Sequence, residues 1–258
     1  MKLSYSGIAT FLFMILILES CVSKKKLTYL QYSNQRSEEF VNSITPAAYE
    51  IMPYDNLYIR VLTPDPQWSE LFNTMPAGAG GTVTEESAAL LGYQVDRDGK
   101  IEVPFVGTVE VSGKTLAEIK FQLDSIFKNY VADAAITVKL VNNFVSIIGE
   151  VNAPGRYQLT KERVNVFEAL SLAGDLSSFG NRQEVQLIRP SPYGPVIKEF
   201  SLGDRTILNS EFYYVMPNDI LYAKPMKAKS FQVNTAVYTL FLTTISTALV
   251  IISYFRTL

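Results

Sequence analysis

The 258-residue sequence contains no histidine, a single cysteine and a single tryptophan. The absence of histidine excludes Ser–His and Cys–His nucleophile pairs and removes the usual zinc ligands. The lone cysteine, Cys21, excludes a disulfide within the chain. The formal net charge is −2, so the chain lacks the basic excess that nucleic-acid binding requires, and it has no glycine-rich phosphate loop. We therefore expect no metal, no cofactor and no nucleic-acid partner.

Close pairs of acidic residues, which glycan-cleaving enzymes use as acid and base, are also scarce. The close pairs in predicted loops are Asp96 with Asp98 and Glu85 with Glu86. The first pair belongs to a turn, and the second belongs to a loop of small and polar residues at 73–88. We therefore predict that the chain is not an enzyme.

The N-terminal residues have the pattern of a secretion signal. Lys2 is followed by an apolar run at 8–18 and then by the tetrad LESC, which ends at Cys21. The tetrad resembles the bacterial lipobox, which implies cleavage before Cys21 and a lipid on its sulfur. The alternatives are that Cys21 is a buried apolar cysteine or part of an uncleaved anchor.

The lipobox resemblance defines the N-terminal segments. Residues 1–20 are the predicted lipoprotein signal peptide, and the polar, charged residues 21–46 are a predicted lipidated tether. Acyl chains contribute about 0.8 kcal/mol for each buried methylene, so several chains on Cys21 would anchor the protein stably. Val22 stands where an aspartate would favour the inner membrane, so the outer membrane is expected.

Alternating apolar residues begin the soluble part of the chain. They lie on both sides of a predicted turn at 53–56 and indicate one strand at 49–51 and another at 57–61. Further along, Asp98 and Gly99 are a strong signal for a hairpin turn, because glycine tolerates a positive φ.

A helix is predicted next. Thr115 and Glu118 have the spacing of a capping box, and the apolar residues after Thr115 recur at helical spacing, which predicts a helix at 116–128. Alternating apolar residues on both sides of the asparagine pair at 142–143 indicate two further strands.

A second group of short elements follows residue 143. Pro154 and Gly155 predict a type II turn with the glycine at the position of positive φ. A short helix is predicted at 166–173, where a glycine ends the pattern. Two paired strands are predicted at 184–189 and 196–202.

One internal similarity links the two groups of elements, namely IMPYDNLY at 51–58 and VMPNDILY at 215–222. Each segment places a proline and an aspartate in a turn that enters an apolar strand. These residues are Pro53, Asp55, Pro217 and Asp219. The aspartate of such a turn accepts backbone N–H groups. The alternative is that the two aspartates form a catalytic carboxylate pair.

Two sets of motifs resemble known domains. The segments YEIMPYDNLYIRV, YQVDRDGKIEVPFVGTVEVSGKTLAEI and AAITVKLV resemble the polysaccharide export domain of Wza-type outer-membrane lipoproteins, with Tyr54 where that family often has glycine. The segments VSIIGEVNAPGRYQL, VNVFEALSLAGDL and VMPNDILY resemble one β-grasp module of the soluble ligand-binding (SLBB) type. The resemblance implies an α+β fold, with a small mixed β-sheet domain and one helix at 47–143, a β-grasp domain at 144–226 and a C-terminal transmembrane helix.

Residues 231–255 contain no charged side chain. A helix of this length extends about 37 Å, more than the hydrocarbon core of about 30 Å, so residues 230–255 are predicted to span a membrane. The hydroxyl residues of one third of the helical wheel are Thr235, Thr239, Thr243, Ser246 and Thr247. The helix is either a lone anchor whose hydroxyls bond to its own backbone, or one of several copies whose hydroxyls line a pore or a helix contact.

Basic residues beside this helix indicate which membrane it crosses. Lys224, Lys227 and Lys229 precede the apolar stretch, and Arg256 follows it. With the soluble part in the periplasm, an inner-membrane span would contradict the positive-inside rule. We therefore expect a lipid-anchored protein of the cell outer membrane with its soluble domains in the periplasm.

The resemblance implies a passive role in export. It predicts a homo-oligomeric ring that conducts capsular polysaccharide or exopolysaccharide through the outer membrane. It also predicts an inner-membrane polysaccharide co-polymerase as a partner, in some cases with a tyrosine kinase. A different function stays open, namely a non-channel lipoprotein that binds glycan or peptidoglycan and is anchored twice in the lipid bilayer.

Overall fold

The computed structural model describes residues 27–31, 47–73, 92–131 and 133–257. The predicted signal peptide, the lipid site Cys21 and most of the tether lie outside these residues. So does all of the predicted loop after Asn73. What the sequence analysis expects of these residues therefore stays a prediction.

The described residues form twelve strands, four α-helices and one 3-10 helix at Arg205–Asn209. The strands are β1 (Asn56–Leu62), β2 (Tyr93–Gln94), β3 (Lys100–Val103), β4 (Gly107–Glu110), β5 (Ala135–Leu140), β6 (Phe144–Gly149), β7 (Gly155–Gln158), β8 (Val164–Asn165), β9 (Gly180–Arg189), β10 (Val196–Phe200), β11 (Tyr214–Val215) and β12 (Ile220–Pro225). The helices are α1 (Pro66–Phe72), α2 (Leu116–Phe127), α3 (Val166–Leu172) and α4 (Lys227–Thr257). The predicted mixture of helices with several small sheets, followed by a long apolar helix, is confirmed.

A first hydrophobic core forms between a three-stranded antiparallel sheet and α2. The strand order is β2-β1-β5, and the hairpin of β3 and β4 lies beside this sheet. Alternate residues of β1 point into the core, and residues at helical spacing on α2 meet them. They are Leu57, Ile59, Val61, Ile119, Leu123 and Phe127. Burial of each such side chain contributes about 1.5–3 kcal/mol to the free energy of folding. Packing of this face therefore stabilises α2 more than its intrinsic helix propensity does.

The start of α2 follows the predicted capping box. The Thr115 hydroxyl accepts the Glu118 N–H at 3.3 Å, and the Glu118 carboxylate accepts the Thr115 N–H at 2.8 Å. These bonds satisfy two backbone donors that would otherwise lack partners in the first turn.

A second core lies under a five-stranded mixed sheet of order β10-β9-β12-β6-β7. β12 is parallel to β6 and antiparallel to β9. Leu221 at the centre of the sheet pairs with Ile147 on one side and with Leu187 on the other, and all three are fully buried. α3 buries Val166, Ala169 and Leu170 in the same core. The two-stranded ribbon of β8 and β11 completes it.

The segment at 27–31 is attached to the second core. The Leu30 N–H donates to Leu202 O at 3.0 Å, and the Gln31 N–H donates to Gly203 O at 2.7 Å. The Tyr29 ring contacts Phe167 edge-on at a centroid distance of 5.8 Å. This part of the predicted tether is therefore bound along the domain that lies far from it in sequence.

The long helix α4 starts from the same core. The Met226 N–H donates to Phe179 O at 2.8 Å, and Lys229 forms an ion pair with Glu150. All the side chains of residues 238–255 are exposed in the chain.

Several details differ from the sequence predictions. Residues 49–51 are not a strand, because Glu50 makes only an isolated bridge to Thr115. Gly155 opens β7 without a positive φ. Gly155 instead pairs with Ile147 in the ladder of β6 and β7, whereas Gly149 at the end of β6 has φ +92°, and an added Cβ there would lie 2.2 Å from Ala223 O. The sequence analysis also missed α1 and the 3-10 helix.

Candidate functional site

The two similar segments form two equivalent turns. In the first turn, the Asp55 N–H donates to Met52 O at 3.1 Å, and the Met52 N–H donates to the Asp55 carboxylate at 2.9 Å. Pro53 and Tyr54 occupy the two central positions, and Tyr54 has φ +71°. Proline followed by a residue of positive φ is the geometry of a type II turn.

The second turn repeats this geometry. The Asp219 N–H donates to Met216 O at 3.1 Å, and the Met216 N–H donates to the Asp219 carboxylate at 2.7 Å. Pro217 and Asn218 occupy the central positions, and Asn218 has φ +65°. Asparagine tolerates this conformation better than other residues with a Cβ.

The two turns lie next to each other between the two cores. The Asn218 amide donates to the Asp55 carboxylate at 3.4 Å, and the Asn142 amide donates to it at 2.8 Å. The Tyr49 hydroxyl donates to the same carboxylate at 2.9 Å. Burial and the neighbouring Asp55 carboxylate raise the pKa of this hydroxyl. Asp55 is therefore the point where side chains from both cores meet.

Asp219 is held by an arginine instead. The Arg189 guanidinium donates through Nε and Nη2 to the two carboxylate oxygens, at 3.0 and 2.8 Å. Burial raises the pKa of Asp219, and the Arg189 charge opposes the rise. A bidentate pair of this kind is a strong and directional interaction.

The geometry of the two aspartates is that of turn and core contacts. Asp55 is 2% exposed and Asp219 is fully buried, and each carboxylate accepts several hydrogen bonds. A glycoside could not reach either carboxylate without displacing those donors. Among the described residues, no group of three or more acidic or cysteine side chains is placed to hold a metal.

The other predicted turn residues lie apart from the Asp55 and Asp219 turns. Asp98 and Gly99 lie in the turn before β3, where Gly99 has φ +79° and donates its N–H to Asp96 O at 3.1 Å. Pro154 and Gly155 lie before and at the start of β7 in the second core. The structure therefore brings together only the Asp55 and Asp219 turns.

The hydroxyl stripe on α4 is exposed along one side of the helix. The Thr243 hydroxyl donates to Thr239 O at 2.8 Å, and the Thr247 hydroxyl donates to Thr243 O at 2.7 Å. The side chain of Ser246 is exposed on the same side, whereas the side chain of Thr235 lies outside the described part. A hydroxyl that donates its proton inwards keeps its oxygen lone pairs, so the stripe presents hydrogen-bond acceptors.

The opposite face of α4 is apolar. Its large exposed side chains include Phe241, Ile245, Ile252 and Phe255, whereas Val250 lies on the side of the hydroxyl stripe. Among the described residues, α4 is the one helix long and apolar enough to cross a membrane, with its span at Tyr238–Phe255. Tyr238 and Tyr254 lie near the two ends of that span, about 24 Å apart along the helix axis.

An aromatic cluster in the first core was missed by the sequence analysis. The Phe72 ring at the end of α1 contacts three other rings, those of Trp68, Phe105 and Phe127. The available sequence signal was Asp65 followed by Pro66, a helix N-cap with proline at the first position, which would have predicted α1. The ring contacts themselves join segments far apart in sequence.

Comparison with known proteins assigns the first core. Residues 43–141 match the family described as "Polysaccharide biosynthesis/export protein". The chain is 29% identical over 102 residues to the EPS I polysaccharide export outer membrane protein EpsA of Ralstonia nicotianae, a match that covers 38% of this chain and 27% of the relative. It is 31% identical over 139 residues to the exopolysaccharide production protein ExoF of Rhizobium meliloti, covering 52% of this chain and 30% of the relative.

The chain thus spans between 27% and 30% of the length of these relatives. The matched region contains β1 to β5, α1 and α2, together with the first of the two turns. The prediction that the chain is not an enzyme agrees with this assignment. Residues 43–141 therefore carry a domain of the polysaccharide biosynthesis/export protein family, in agreement with the Wza-type resemblance of the sequence.

Proposed function

We propose that the chain is one subunit of an outer-membrane channel for capsular polysaccharide or exopolysaccharide, a passive conduit formed by a ring of copies. The observation that carries the proposal is α4, a 31-residue helix whose apolar span joins a domain of an export family. One helix cannot enclose a pore, so the function requires several copies. The helix is about 46 Å long, which is enough to cross the hydrocarbon core with some tilt.

The surface chemistry of α4 supports a ring. A bundle of copies would place the apolar face against lipid and the stripe of Thr239, Thr243, Ser246 and Thr247 at the lumen or at the helix contact. The outward oxygen lone pairs would accept hydrogen bonds from the hydroxyls of a hydrated glycan without binding it by charge. Tyr238 and Tyr254 would lie at the two interfaces, where tyrosine is enriched.

The attachment points of the soluble part support the same arrangement. Residues 27–31 and α4 both bind to the second core. Cys21 precedes Leu27 by only six residues, so a lipid on Cys21 would lie within about 20 Å of that core. We place the second core beside the membrane and the first core farther into the periplasm, towards an inner-membrane co-polymerase, which in some cases has a linked tyrosine kinase.

Two separate buried clusters support the proposed domain division. One cluster draws its residues from 51–136 and the other from 145–223, which agrees with domains at 47–143 and 144–226. The mixed five-stranded sheet that packs on the single helix α3 supports a β-grasp module for the second domain.

A second function deserves comparison because the hydroxyls of Thr243, Thr244 and Thr247 all bond to their own backbone. In a lone anchor helix these backbone bonds alone would satisfy the hydroxyl groups in lipid. The alternative is therefore a non-channel lipoprotein that binds glycan or peptidoglycan and is anchored twice.

The mass of the detergent-extracted, lipidated protein separates these functions. We expect native mass spectrometry to find a single high-order oligomer. A monomer or dimer in several mild detergents would contradict the ring and favour the doubly anchored binding protein.

Substitution of the stripe tests the role of α4. We expect the triple change Thr239→Leu, Thr243→Leu and Thr247→Leu to block export of the polymer while the protein stays lipidated. Thr244→Leu is the matched control, because it removes a hydroxyl outside the stripe. Normal export by the triple variant would reject the pore-lining role.

A further inference from the structure

The aromatic cluster of the first core carries rings on its surface that the fold does not bury. The Phe72 ring is buried, whereas the neighbouring Trp68, Phe105 and Tyr130 rings are 42%, 60% and 49% exposed. Large rings in contact with water at a cluster of this kind are candidates for binding another molecule.

The positions of the rings are fixed by contacts within the cluster. The Trp68 ring is stacked on Phe72 at 6.0 Å, and the Phe105 ring meets Phe72 edge to face at 5.7 Å. The Phe127 ring meets Phe72 at 5.1 Å on another side and connects to Tyr130 at 6.4 Å. Two exposed rings, Trp68 and Phe105, are therefore held on the buried Phe72 ring, and Tyr130 is held on the neighbouring Phe127 ring.

Phe105 is exposed at a conformational cost. It follows Pro104 in a turn closed by a bond from the Val106 N–H to Val103 O at 3.2 Å, and its φ is +65°. Glycine is the favoured residue at this position of a type II turn. A bulky residue with positive φ is an outlier, and such outliers are concentrated at functional sites. The turn keeps a phenylalanine in solvent where a glycine would be less strained.

The surface beside Phe105 is open and carries few charges. A shallow, open depression is lined by residues 102–107, and Glu102 supplies a carboxylate there. Binding sites commonly combine apolar and aromatic walls with a few polar groups that orient the ligand. A pyranose ring has an apolar face of C–H groups and a rim of hydroxyls, which matches an aromatic face beside a carboxylate.

We propose that Trp68, Phe105 and Tyr130 form a glycan-binding surface, on which the apolar faces of successive sugar rings stack weakly. The inference rests on the proposed function, since it assigns to the exported polymer a contact on the first core. Shallow rings without a deep pocket give low affinity per sugar, which suits a polymer that must move on.

The sole tryptophan of the chain, Trp68, reports on this surface directly. The experiment titrates the full-length lipidated protein with cellohexaose, in a detergent without a sugar headgroup, and follows Trp68 emission. We expect a saturable change in emission. Sorbitol, which has hydroxyls but no pyranose face, should give none.

Three variants make the test specific. Phe105→Gly removes the ring at a position that favours glycine, so the fold should be kept while the apparent Kd rises roughly three- to tenfold. Phe105→Ala should weaken binding similarly. Phe121→Ala removes an exposed ring on α2 outside the cluster and should leave the titration unchanged.

Other outcomes overturn the proposal. The absence of a saturable change with cellohexaose would reject the glycan surface, as would an equal change in Phe105→Gly. An emission change on dilution without sugar, abolished by Phe105→Gly, would identify the rings as a contact between copies. Failure of the channel proposal is detected separately by the oligomer mass. A monomer that still binds cellohexaose would contradict the ring of copies and leave the glycan surface intact.

Discussion

Tyr54 occupies a backbone conformation that costs a residue with a side chain about 1–2 kcal/mol. Its φ is +71° and its side chain is 68% exposed, so little packing compensates for the cost. Glycine would adopt this conformation without that cost. The equivalent residue of the other turn, Asn218, has the side chain that best tolerates the same conformation.

We expect Tyr54→Gly to stabilise the protein by roughly 0.5–1 kcal/mol, because relief of the left-handed strain exceeds the entropy cost of glycine in the unfolded chain. Denaturant unfolding of the protein in detergent measures the change. Tyr54→Ala is the control, since alanine keeps the strain and should give no gain. Equal effects from both variants would show that the ring, and not φ, determines the result.

The hydrogen bonds within each of the two turns were predictable from sequence. The bonds that the turn aspartates accept from distant residues were not. A proline and an aspartate two residues apart specify a turn whose carboxylate accepts a backbone N–H. The donors Asn142, Asn218 and Arg189 reach these carboxylates from 30 to 163 residues away. Nothing in the periodicity of a single segment records such partners.

Helices α2 and α3 illustrate which elements a sequence specifies. Both begin with a capping box and continue with apolar residues at helical spacing, and both signals are local. α1 has only two turns and a mixed composition, so its sole strong signal is the Asp65–Pro66 start. Gly155 pairs with Ile147 in the ladder of β6 and β7, a tertiary contact that the local Pro154–Gly155 pattern does not record, so the predicted type II turn was wrong.

The cap of α3 predicts a pH dependence. The Glu168 carboxylate accepts the Asn165 N–H at 3.0 Å, which lowers the pKa of Glu168 below its ordinary value of 4.5, and Lys161 lowers it further. A carboxyl group whose pKa is lower in the folded state stabilises the fold above its unfolded pKa. That contribution is lost as the pH falls through the folded-state pKa.

We expect Glu168→Gln to be less stable than the unmodified chain at pH 7 and nearly equal to it at pH 3. Glutamine keeps the capping geometry but does not titrate. Thermal unfolding at the two pH values measures the difference. Glu162→Gln, which removes an exposed carboxylate outside the cap of the same helix, is the control. A constant difference for Glu168→Gln would reject the electrostatic origin.

At the scale of the whole molecule, the second core joins the two ends of the described chain. Tyr29 is central to the N-terminal attachment, since its hydroxyl donates to Asp175 and the Arg182 guanidinium lies 5.2 Å from its ring centroid. The helix side is held by Met226 and by the ion pair of Lys229 with Glu150. Because both attachments lie on one core, a force on either residues 27–31 or α4 would be transmitted to the same sheet.

We expect Tyr29→Ala to release residues 27–31 from the second core without unfolding it. The ring contacts and the hydroxyl bond are lost together, so the Leu30 and Gln31 N–H groups, which donate to Leu202 and Gly203, should exchange with solvent faster. Hydrogen exchange of the N-terminal peptide measures this. Tyr29→Phe keeps the ring and should give an intermediate effect, of about 1 kcal/mol for the lost hydroxyl bond.

Tyr193→Ala, at a fully exposed hairpin tip, is the control and should leave the exchange of this peptide unchanged. The lipid site proposed at Cys21 gives the experiment its functional meaning. If Tyr29→Ala frees the segment, the distance from Cys21 to the second core is no longer limited to six residues of chain, and the core should tilt more freely about α4. Unchanged protection of Leu30 and Gln31 would show instead that the backbone pairing alone fixes the segment, and the attachment would then persist without the aromatic contact.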